Sequence, residues 1–434
     1  MCLRGGLMTY KIYTLGCKVN TYESNVMSDA LKNKGYIEAN DDNIDIAIIN
    51  TCTVTNTADS KSMKLIRRVI KENPGSIIVV VGCMVQHKKE NLKEIDGVDI
   101  ILGNVGKAKV VDYIDEFIQK KKQLYNITEM DNIPFEEMLL NNFNKTRAFV
   151  KIQDGCNNFC AYCIIPYVRG NVRSKAKDDV LKEVTNLVNN GHKEIVLTGI
   201  HTGNYGSEFD HYDFANLLND LVQINGLERL RISSIEATEL NERVLDILKK
   251  SNILVDHMHI PLQSGSDGVL KRMNRKYDKE YFIKKINDIR KIRPEMSVTT
   301  DIIVGFPGET EDEFEETIET IKKVKFTKLH VFPYSKRDGT KAAIMSNHID
   351  DVTKKQRVKV LTDLSIELEN NYMNKYINKQ VIFIPEVEKD GYIIGHTGNY
   401  LQVKCLGCKK DLGNDLKVRI TANEYPYLIG ERNE

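Results

Sequence analysis

Three cysteines in the middle of the chain, Cys156, Cys160 and Cys163, have the spacing C-x3-C-x2-C. Three thiolates on one short loop can bind three irons of a [4Fe–4S] cube and leave the fourth iron open. A structural zinc ion would need a fourth ligand, and no histidine or further cysteine lies nearby in the sequence. The spacing therefore favours an iron–sulfur cluster with an open iron, and structural zinc is the alternative.

Three more cysteines each follow a strand-like run in the N-terminal part of the chain. They are Cys17, Cys52 and Cys83, after the runs 11–15, 44–49 and 77–81. Ligands of open parallel sheets bind beyond the carboxyl ends of the strands, so these thiols could meet at one edge as a second metal site. The alternative is that each thiol is a small buried residue that fills the end of a strand.

The alternation of strand-like and helix-like runs predicts an α/β protein with three parts. Residues 8–125 show a βαβαβ pattern, which is typical of an open parallel sheet covered by helices. A polar linker at 126–145 precedes residues 146–370, where about six βα units predict a partial (βα)6 barrel with its site at the C-terminal strand ends. Residues 372–434 alternate short strands with glycine turns and predict a small antiparallel barrel.

Particular runs of residues support these predictions. In the central part the strand-like runs are 149–152, 194–197, 229–233, 255–260, 298–304 and 329–332, with helices at 180–188 and 312–324. Thr310 and Glu313 form the capping pair expected at the start of the second of these helices. In the last part the strand-like runs are 381–384, 392–394, 401–403 and 416–420.

Composition narrows the class of protein. The 434 residues carry 62 Lys and Arg against 61 Asp and Glu, so no overall basic field indicates a nucleic-acid partner. No run approaches the roughly 18 apolar residues of a membrane helix, and the residues before Met8 are too few for a signal peptide. We expect a cytoplasmic protein without a membrane partner, whose nine cysteines serve metal binding or catalysis and not disulfides, with no role for Cys2.

Seven motifs resemble the methylthiotransferase family of the radical S-adenosylmethionine superfamily. They are TLGCKVNTYES at 14–24, NTCTV at 50–54, VGC at 81–83, KIQDGC at 151–156, IPYVRG at 165–170, PLQSGS at 261–266 and GFPGET at 305–310. The resemblance spans nearly the whole chain. It implies an N-terminal three-cysteine domain, a radical S-adenosylmethionine barrel and a C-terminal RNA-binding TRAM domain.

The resemblance also implies cofactors and the residues that hold them. Cys156, Cys160 and Cys163 would bind the catalytic [4Fe–4S] cluster, and the other cysteine trio a second one, with two S-adenosylmethionine molecules used per turnover. The expected cofactor contacts at strand ends are Thr198, Gly199, Ser233, Ser234, Glu236, Gln263 and Gly305. Each of these could instead satisfy backbone groups or form an ordinary turn.

The run GCKVN at 16–20 is most similar to the family branch that converts N6-threonylcarbamoyladenosine at position 37 of tRNA to its 2-methylthio derivative. The isopentenyladenosine branch usually has a Gln-Met variant there, and a further branch modifies a ribosomal protein; both are alternatives. The implied partners are the tRNA anticodon loop, an electron donor such as flavodoxin or ferredoxin, and a sulfur source. An alternative of another class is a non-catalytic RNA-binding protein with structural metal.

Other residues are open to two interpretations. Lys404, Lys409, Lys410, Lys417, Arg419 and Tyr400 are candidate RNA contacts or ordinary surface residues. His257 and His259 alternate along a strand, which favours histidines of the barrel wall over metal ligands. Cys405 and Cys408 have a metal-like spacing without a second pair, so we interpret them as incidental thiols.

Overall fold

The computed structural model describes residues 7–39, 44–88 and 95–432, so Cys2 lies outside the described residues. Within these ranges no helix is both long and apolar enough to cross a membrane. The helices are α1 (Lys18–Asn33), α2 (Asn56–Glu72), α3 (Cys83–Lys88), α4 (Val110–Lys120), α5 (Ile165–Arg169), α6 (Lys177–Asn189), α7 (Phe214–Leu221), α8 (Glu242–Lys250), α9 (Asp267–Arg272), α10 (Lys279–Ile292), α11 (Glu311–Val324) and α12 (Asp351–Asn374).

The N-terminal part is a parallel sheet with the strand order β2-β1-β3-β4-β5-β6. Its strands are β1 (Thr9–Thr14), β2 (Ile37–Glu38), β3 (Ile46–Thr51), β4 (Ile77–Gly82), β5 (Ile100–Leu102) and β6 (Leu124–Asn126). Every residue of β3 and β4 is buried, because helices cover both faces of the sheet. The predicted open α/β sheet is confirmed.

The central part is an open barrel of parallel strands. They are β7 (Arg147–Lys151), β10 (Glu194–Thr198), β11 (Arg229–Ile232), β12 (His257–His259), β13 (Ser297–Val304) and β14 (Lys328–Pro333), and a short hairpin of β8 (Gln153–Asp154) and β9 (Arg173–Ser174) follows β7. Parallel pairing joins these barrel strands into two three-stranded sheets, linked by a bridge between Leu230 and Leu254. The partial (βα)6 barrel predicted from the sequence is confirmed.

The start of α11 shows how a local sequence signal fixes an element of this barrel. The Thr310 hydroxyl accepts a hydrogen bond from the Glu313 amide at 3.2 Å, and the Glu313 carboxylate accepts one from the Thr310 amide at 3.0 Å. This reciprocal capping box satisfies two amides that the first helical turn leaves without partners. The capping pair expected from the sequence is therefore present.

The stretch 127–146 has no helix or strand, yet it is packed and not a loose spacer. Met138, Leu140 and Phe143 are buried in the barrel core. Tyr22 and Val26 of α1 belong to the same core, and the Tyr22 hydroxyl donates to the Met138 carbonyl at 3.0 Å. The N-terminal sheet and the barrel are thus joined by a shared apolar core.

The C-terminal part is a closed barrel with the order β15-β16-β17-β19-β18. Its strands are β15 (Gln380–Lys389), β16 (Tyr392–Thr397), β17 (Gln402–Leu406), β18 (Leu416–Glu424) and β19 (Tyr427–Arg432). The predicted small barrel is confirmed, and four of its five strand pairs are antiparallel; the exception is β19, which closes the barrel by parallel pairing with β17.

The interpretation of Tyr400 as a candidate RNA contact is also corrected. Its ring stacks on His257 of the central barrel at 4.8 Å and on His396 at 4.6 Å, measured between ring centroids. Arg147 and Arg231, also from the central barrel, lie 5.2 and 4.8 Å from the same centroid. Tyr400 therefore attaches the small barrel to the central one, because its ring faces are already covered.

Candidate active site

The cysteine loop begins where β8 ends, at Gly155. Gly155 has a φ of +73°, and a Cβ atom there would lie 1.8 Å from the Asn171 carbonyl oxygen. Only glycine fits this position, because any side chain would overlap the backbone of Gly170 and Asn171, which lie between α5 and β9. The Cys156 amide donates to the Gly170 carbonyl at 3.0 Å, which fixes the first cysteine of the loop.

The three thiols of this loop lie close to one another. Cys156, Cys160 and Cys163 are partly exposed, and the Cys163 amide donates to the Cys160 carbonyl at 2.9 Å. Burial raises the pKa of the Cys163 thiol to about 12, and the charges of Cys160 and Cys156 act in the same direction. A cation that replaces the thiol protons would relieve this mutual repulsion, as metal ligation requires.

Two side chains that the sequence analysis did not single out contact these sulfurs. His201 Nδ1 lies 3.7 Å from Cys156 Sγ, and Arg275 Nη1 donates to Cys160 Sγ at 3.5 Å. Burial alone would lower the pKa of His201, but its hydrogen bonds to Cys156 and Glu239 outweigh burial and raise the pKa to about 10. Both contacts place positive charge beside the sulfurs, which suits an anionic cluster.

The second trio lies at the carboxyl ends of three adjacent strands. Cys17 follows β1 and directly precedes α1, Cys52 follows β3, and Cys83 follows β4. Cys17 is exposed, whereas Cys52 and Cys83 are buried. Burial raises the pKa of Cys52 to about 11, with further contributions from the charges of Cys83 and Cys17, so the three thiols interact. The convergence expected from the strand order is present.

The number of donors in each trio bears on whether it holds a cube or a single ion. Structural zinc requires four ligands around one centre, whereas each thiolate of a cube binds a different iron and the ligands stand further apart. The donor set of three thiols therefore fits a [4Fe–4S] cluster better than structural zinc.

A cavity of about 250 Å³ lies between the N-terminal sheet and the central barrel. Cys163 lines one side, and Val54 and Thr55, which follow Cys52, line the other. Gln263 and Asp301 of the barrel also face it. The cavity therefore connects the loop of one trio with the segment that carries the other, and it can hold part of an organic molecule beside Cys163.

The expected cofactor contacts differ in whether they line this cavity. Gln263 lines the cavity and has a φ of +70°. The others lie at the C-terminal ends of the strands without lining it: Thr198, Gly199, Ser233, Ser234, Glu236 and Gly305. Glu236 contacts Arg275, which reaches Cys160, and the Gly305 amide donates to the Glu309 carboxylate at 2.6 Å.

The two histidines that the sequence left open belong to the wall of the central barrel. His257 Nε2 and His259 Nδ1 each lie 3.0 Å from the Thr299 hydroxyl oxygen, as expected for histidines of the barrel wall. Cys405 is buried in the small barrel and Cys408 is exposed.

Comparison with known proteins adds to this geometry. Residues 150–321 match the family model of the Radical SAM superfamily, and residues 9–103 match the one described as uncharacterized protein family UPF0004. Threonylcarbamoyladenosine tRNA methylthiotransferase MtaB of Bacillus subtilis (strain 168) is 44% identical over 98% of this chain and 96% of that relative. The chain belongs to the radical S-adenosylmethionine methylthiotransferase family.

A second relative of this methylthiotransferase agrees with the assignment, and a solved structure shares its fold. A tRNA-2-methylthio-N(6)-dimethylallyladenosine synthase of Clostridium tetani is 37% identical over 98% of this chain and 96% of that relative. The radical S-adenosylmethionine methyltransferase TsrM of Kitasatospora setae shares the fold, with a TM-score of 0.58 and 12% identity, over 78% of this chain and 74% of that one. Family membership implies a [4Fe–4S] cluster and S-adenosylmethionine, so the alternative of a non-catalytic protein is set aside.

Proposed function

We propose that this methylthiotransferase converts N6-threonylcarbamoyladenosine at position 37 of tRNA to its 2-methylthio derivative. The observation that carries the proposal is the cavity between the units, which Cys163 borders on one side and the segment after Cys52 on the other. A reaction that joins a sulfur-containing group to an adenine carbon needs both cysteine trios near one substrate. The similarity to the B. subtilis relative supports this choice of nucleoside.

Each trio has a separate role in this proposal. Cys156, Cys160 and Cys163 hold the cluster that, when bound, supplies the electron that cleaves S-adenosylmethionine and starts the radical reaction. The second trio, Cys17, Cys52 and Cys83, would hold another [4Fe–4S] cluster, whose open iron would supply a binding place for the sulfur that is transferred. The adenine C2–H bond is not acidic, which is why no general base of the protein can replace radical chemistry.

The side chains around the cavity bind and orient the reactants. Gln263 lines the same cavity as Cys163, where its side-chain amide can hydrogen-bond polar groups of S-adenosylmethionine. We further propose that the strand-end residues contact the cofactor from the barrel rim: Thr198, Gly199, Ser233, Ser234, Glu236 and Gly305. A base in the anticodon loop is not paired, so it can be turned into the cavity at small energetic cost.

The domain boundaries and partners are part of the same proposal. Residues 8–125 form the second-cluster domain, residues 146–370 the radical domain and residues 372–434 the RNA-binding TRAM domain, with 126–145 between the first two. An electron donor of the flavodoxin or ferredoxin type reduces the clusters. We place the enzyme in the cytoplasm, with its tRNA substrate.

Nucleoside mass spectrometry of tRNA tests the substrate. Deleting the gene for this protein should remove 2-methylthio-N6-threonylcarbamoyladenosine from tRNA and leave its precursor, N6-threonylcarbamoyladenosine. Loss of the 2-methylthio-isopentenyl nucleoside instead would favour the isopentenyladenosine branch. Unchanged tRNA nucleosides would reject an RNA substrate and favour the ribosomal-protein branch.

Three single substitutions test the separate roles of the trios. Cys160→Ala should abolish cleavage of S-adenosylmethionine, because the radical-generating cluster loses a ligand. Cys52→Ala should keep cleavage and stop formation of the methylthio product. Cys408→Ala is the matched control, since this exposed thiol belongs to neither trio, and it should change neither reaction. Cleavage that survives Cys160→Ala would overturn the assignment of roles.

A further inference from the structure

Arg169 lies fully buried between the two cysteine trios, at the end of α5. Its Nε donates to Cys83 Sγ at 3.3 Å, and its Nη2 donates to the Asn20 side-chain oxygen at 2.9 Å. Its Nη1 donates to Glu23 at 2.8 Å and to both carboxylate oxygens of Asp154 at 3.2 Å. One guanidinium thus joins a cysteine of the second trio to the strand that leads into Cys156.

The surrounding charges are not balanced by the protein alone. Two buried carboxylates, Glu23 and Asp154, face four buried cations: Lys107, Lys151, Arg169 and Arg173. An excess of two positive charges remains in a region from which water is excluded. Even if Glu136, a third carboxylate within electrostatic reach, is counted as charged, one positive charge remains unbalanced. Such a surplus is costly unless an anionic group completes the region.

The thiolates of the second trio are the anionic groups within reach. A cube bound by three thiolates carries negative charge that the excess cations can stabilise. The Nε–H of Arg169 already points at the sulfur of one ligand.

We propose that Arg169 is a positioning residue of the second cluster: it holds the Cys83 thiolate by a charged hydrogen bond and fixes it relative to Asp154, next to the cysteine loop. This inference rests on the proposed function in one respect, that the second trio binds a cluster. A hydrogen bond from a cation to a ligating sulfur stabilises the reduced, more negative cluster and raises its reduction potential. Lysine would keep the charge but lose the planar arrangement of donors.

The experiment uses the full chain with Cys156→Ala, Cys160→Ala and Cys163→Ala, loaded without oxygen so that only the second cluster remains. Arg169→Lys is compared with Arg173→Lys in this background by a redox titration followed by electron paramagnetic resonance. Arg173 is the matched control, because it is buried and pairs with Asp154 at 3.0 Å, while the other hydrogen bonds described for it go to the carbonyls of Arg169 and Asn171 and not to a cysteine sulfur. Arg169→Lys should lower the midpoint potential and alter the g values, and Arg173→Lys should leave both unchanged.

A second measurement needs no substitution at Arg169. Growth on ¹⁵N-arginine should give a ¹⁵N hyperfine coupling in pulsed resonance spectra of the reduced second cluster, because Arg169 Nε contacts Cys83 Sγ. A missing coupling would overturn the inference, and so would equal shifts in the two lysine variants or no shift in Arg169→Lys. A parent protein without iron would overturn it together with the second cluster. If the triple variant shows the coupling but the unsubstituted, fully loaded protein forms no methylthio product, the proposed reaction alone is refuted.

Discussion

Replacing Gly155 by alanine tests whether the backbone at the start of the cysteine loop sets the position of Cys156. A Cβ atom at Gly155 would lie 1.8 Å from the Asn171 carbonyl oxygen and 2.7 Å from that of Gly170. Gly191 offers the matched control, because it has a similar positive φ of +92° but no atom within 4 Å of an added Cβ. Alanine in a left-handed conformation costs about 1–2 kcal/mol at either position.

The difference between the two variants is therefore steric. At Gly155 the distance from the added Cβ to the Asn171 carbonyl oxygen must grow from 1.8 Å to an ordinary contact of 3.4 Å. One of the two backbone segments must therefore move by about 1.6 Å. Metal–ligand distances tolerate only about 0.2 Å, so the Cys156 thiol would leave its place in the site. Gly191→Ala should lower the free energy of unfolding by about 1 kcal/mol and leave the site intact.

The assay is the iron content of the anaerobically reconstituted chain together with cleavage of S-adenosylmethionine. Gly191→Ala should hold about eight irons per chain, and Gly155→Ala about four, those of the second cluster. Cleavage should be lost only in Gly155→Ala. If Gly155→Ala kept its full iron content and cleaved S-adenosylmethionine at the normal rate, the steric argument would be refuted.

Three further substitutions probe the contacts between the parts of the chain. Glu23→Gln removes a carboxylate that pairs with three buried cations, so the free energy of unfolding should fall by about 3–5 kcal/mol. The midpoint of urea unfolding should fall with it, and an unchanged midpoint would contradict this prediction. Tyr400→Ala should loosen the small barrel by about 2 kcal/mol, so limited proteolysis should release it faster. Burial would raise the pKa of Glu386, but His396 and Arg147 outweigh it and lower that pKa. The ionised Glu386 therefore contributes its full share to the free energy of unfolding above about pH 4.5, and this share is lost as the pH falls further. In acid denaturation curves, Glu386→Gln should make the free energy of unfolding depend less on pH in this range.

Local signals in the sequence predict much of the fold. The continuous apolar runs of β3 and β4 predict buried parallel strands, and the structure buries every residue in them. The pair Thr310 and Glu313 predicts the start of α11 through the hydrogen bonds that the structure contains. The cysteine spacing and its place after β7 were visible because both depend on neighbours in the sequence.

Features that depend on distant parts of the chain were not predictable in this way. β5 and β6 have three residues each, too few for a periodic pattern. The apolar residues Met138, Leu140 and Phe143 lie in a polar stretch, and only the nearby barrel core explains their burial.

The same limit applies to the candidate site. Arg169 is a single basic residue in the sequence, and its partners Glu23 and Cys83 stand 146 and 86 positions away. No local sequence pattern predicts a contact between parts of the chain that meet only when the fold is complete. The resemblance of the surrounding motif to a known family marked the segment but not the role of this side chain.

The core shared by α1 and the barrel has a consequence for how the enzyme is made. Tyr22 leaves the ribosome more than a hundred residues before Met138 and the barrel strands against which it packs. Until those strands are synthesised, the helix that begins after Cys17 lacks part of its apolar surroundings. We therefore expect the proposed N-terminal cluster to assemble only after synthesis of the barrel, and an isolated N-terminal fragment to be a poor acceptor of iron and sulfide.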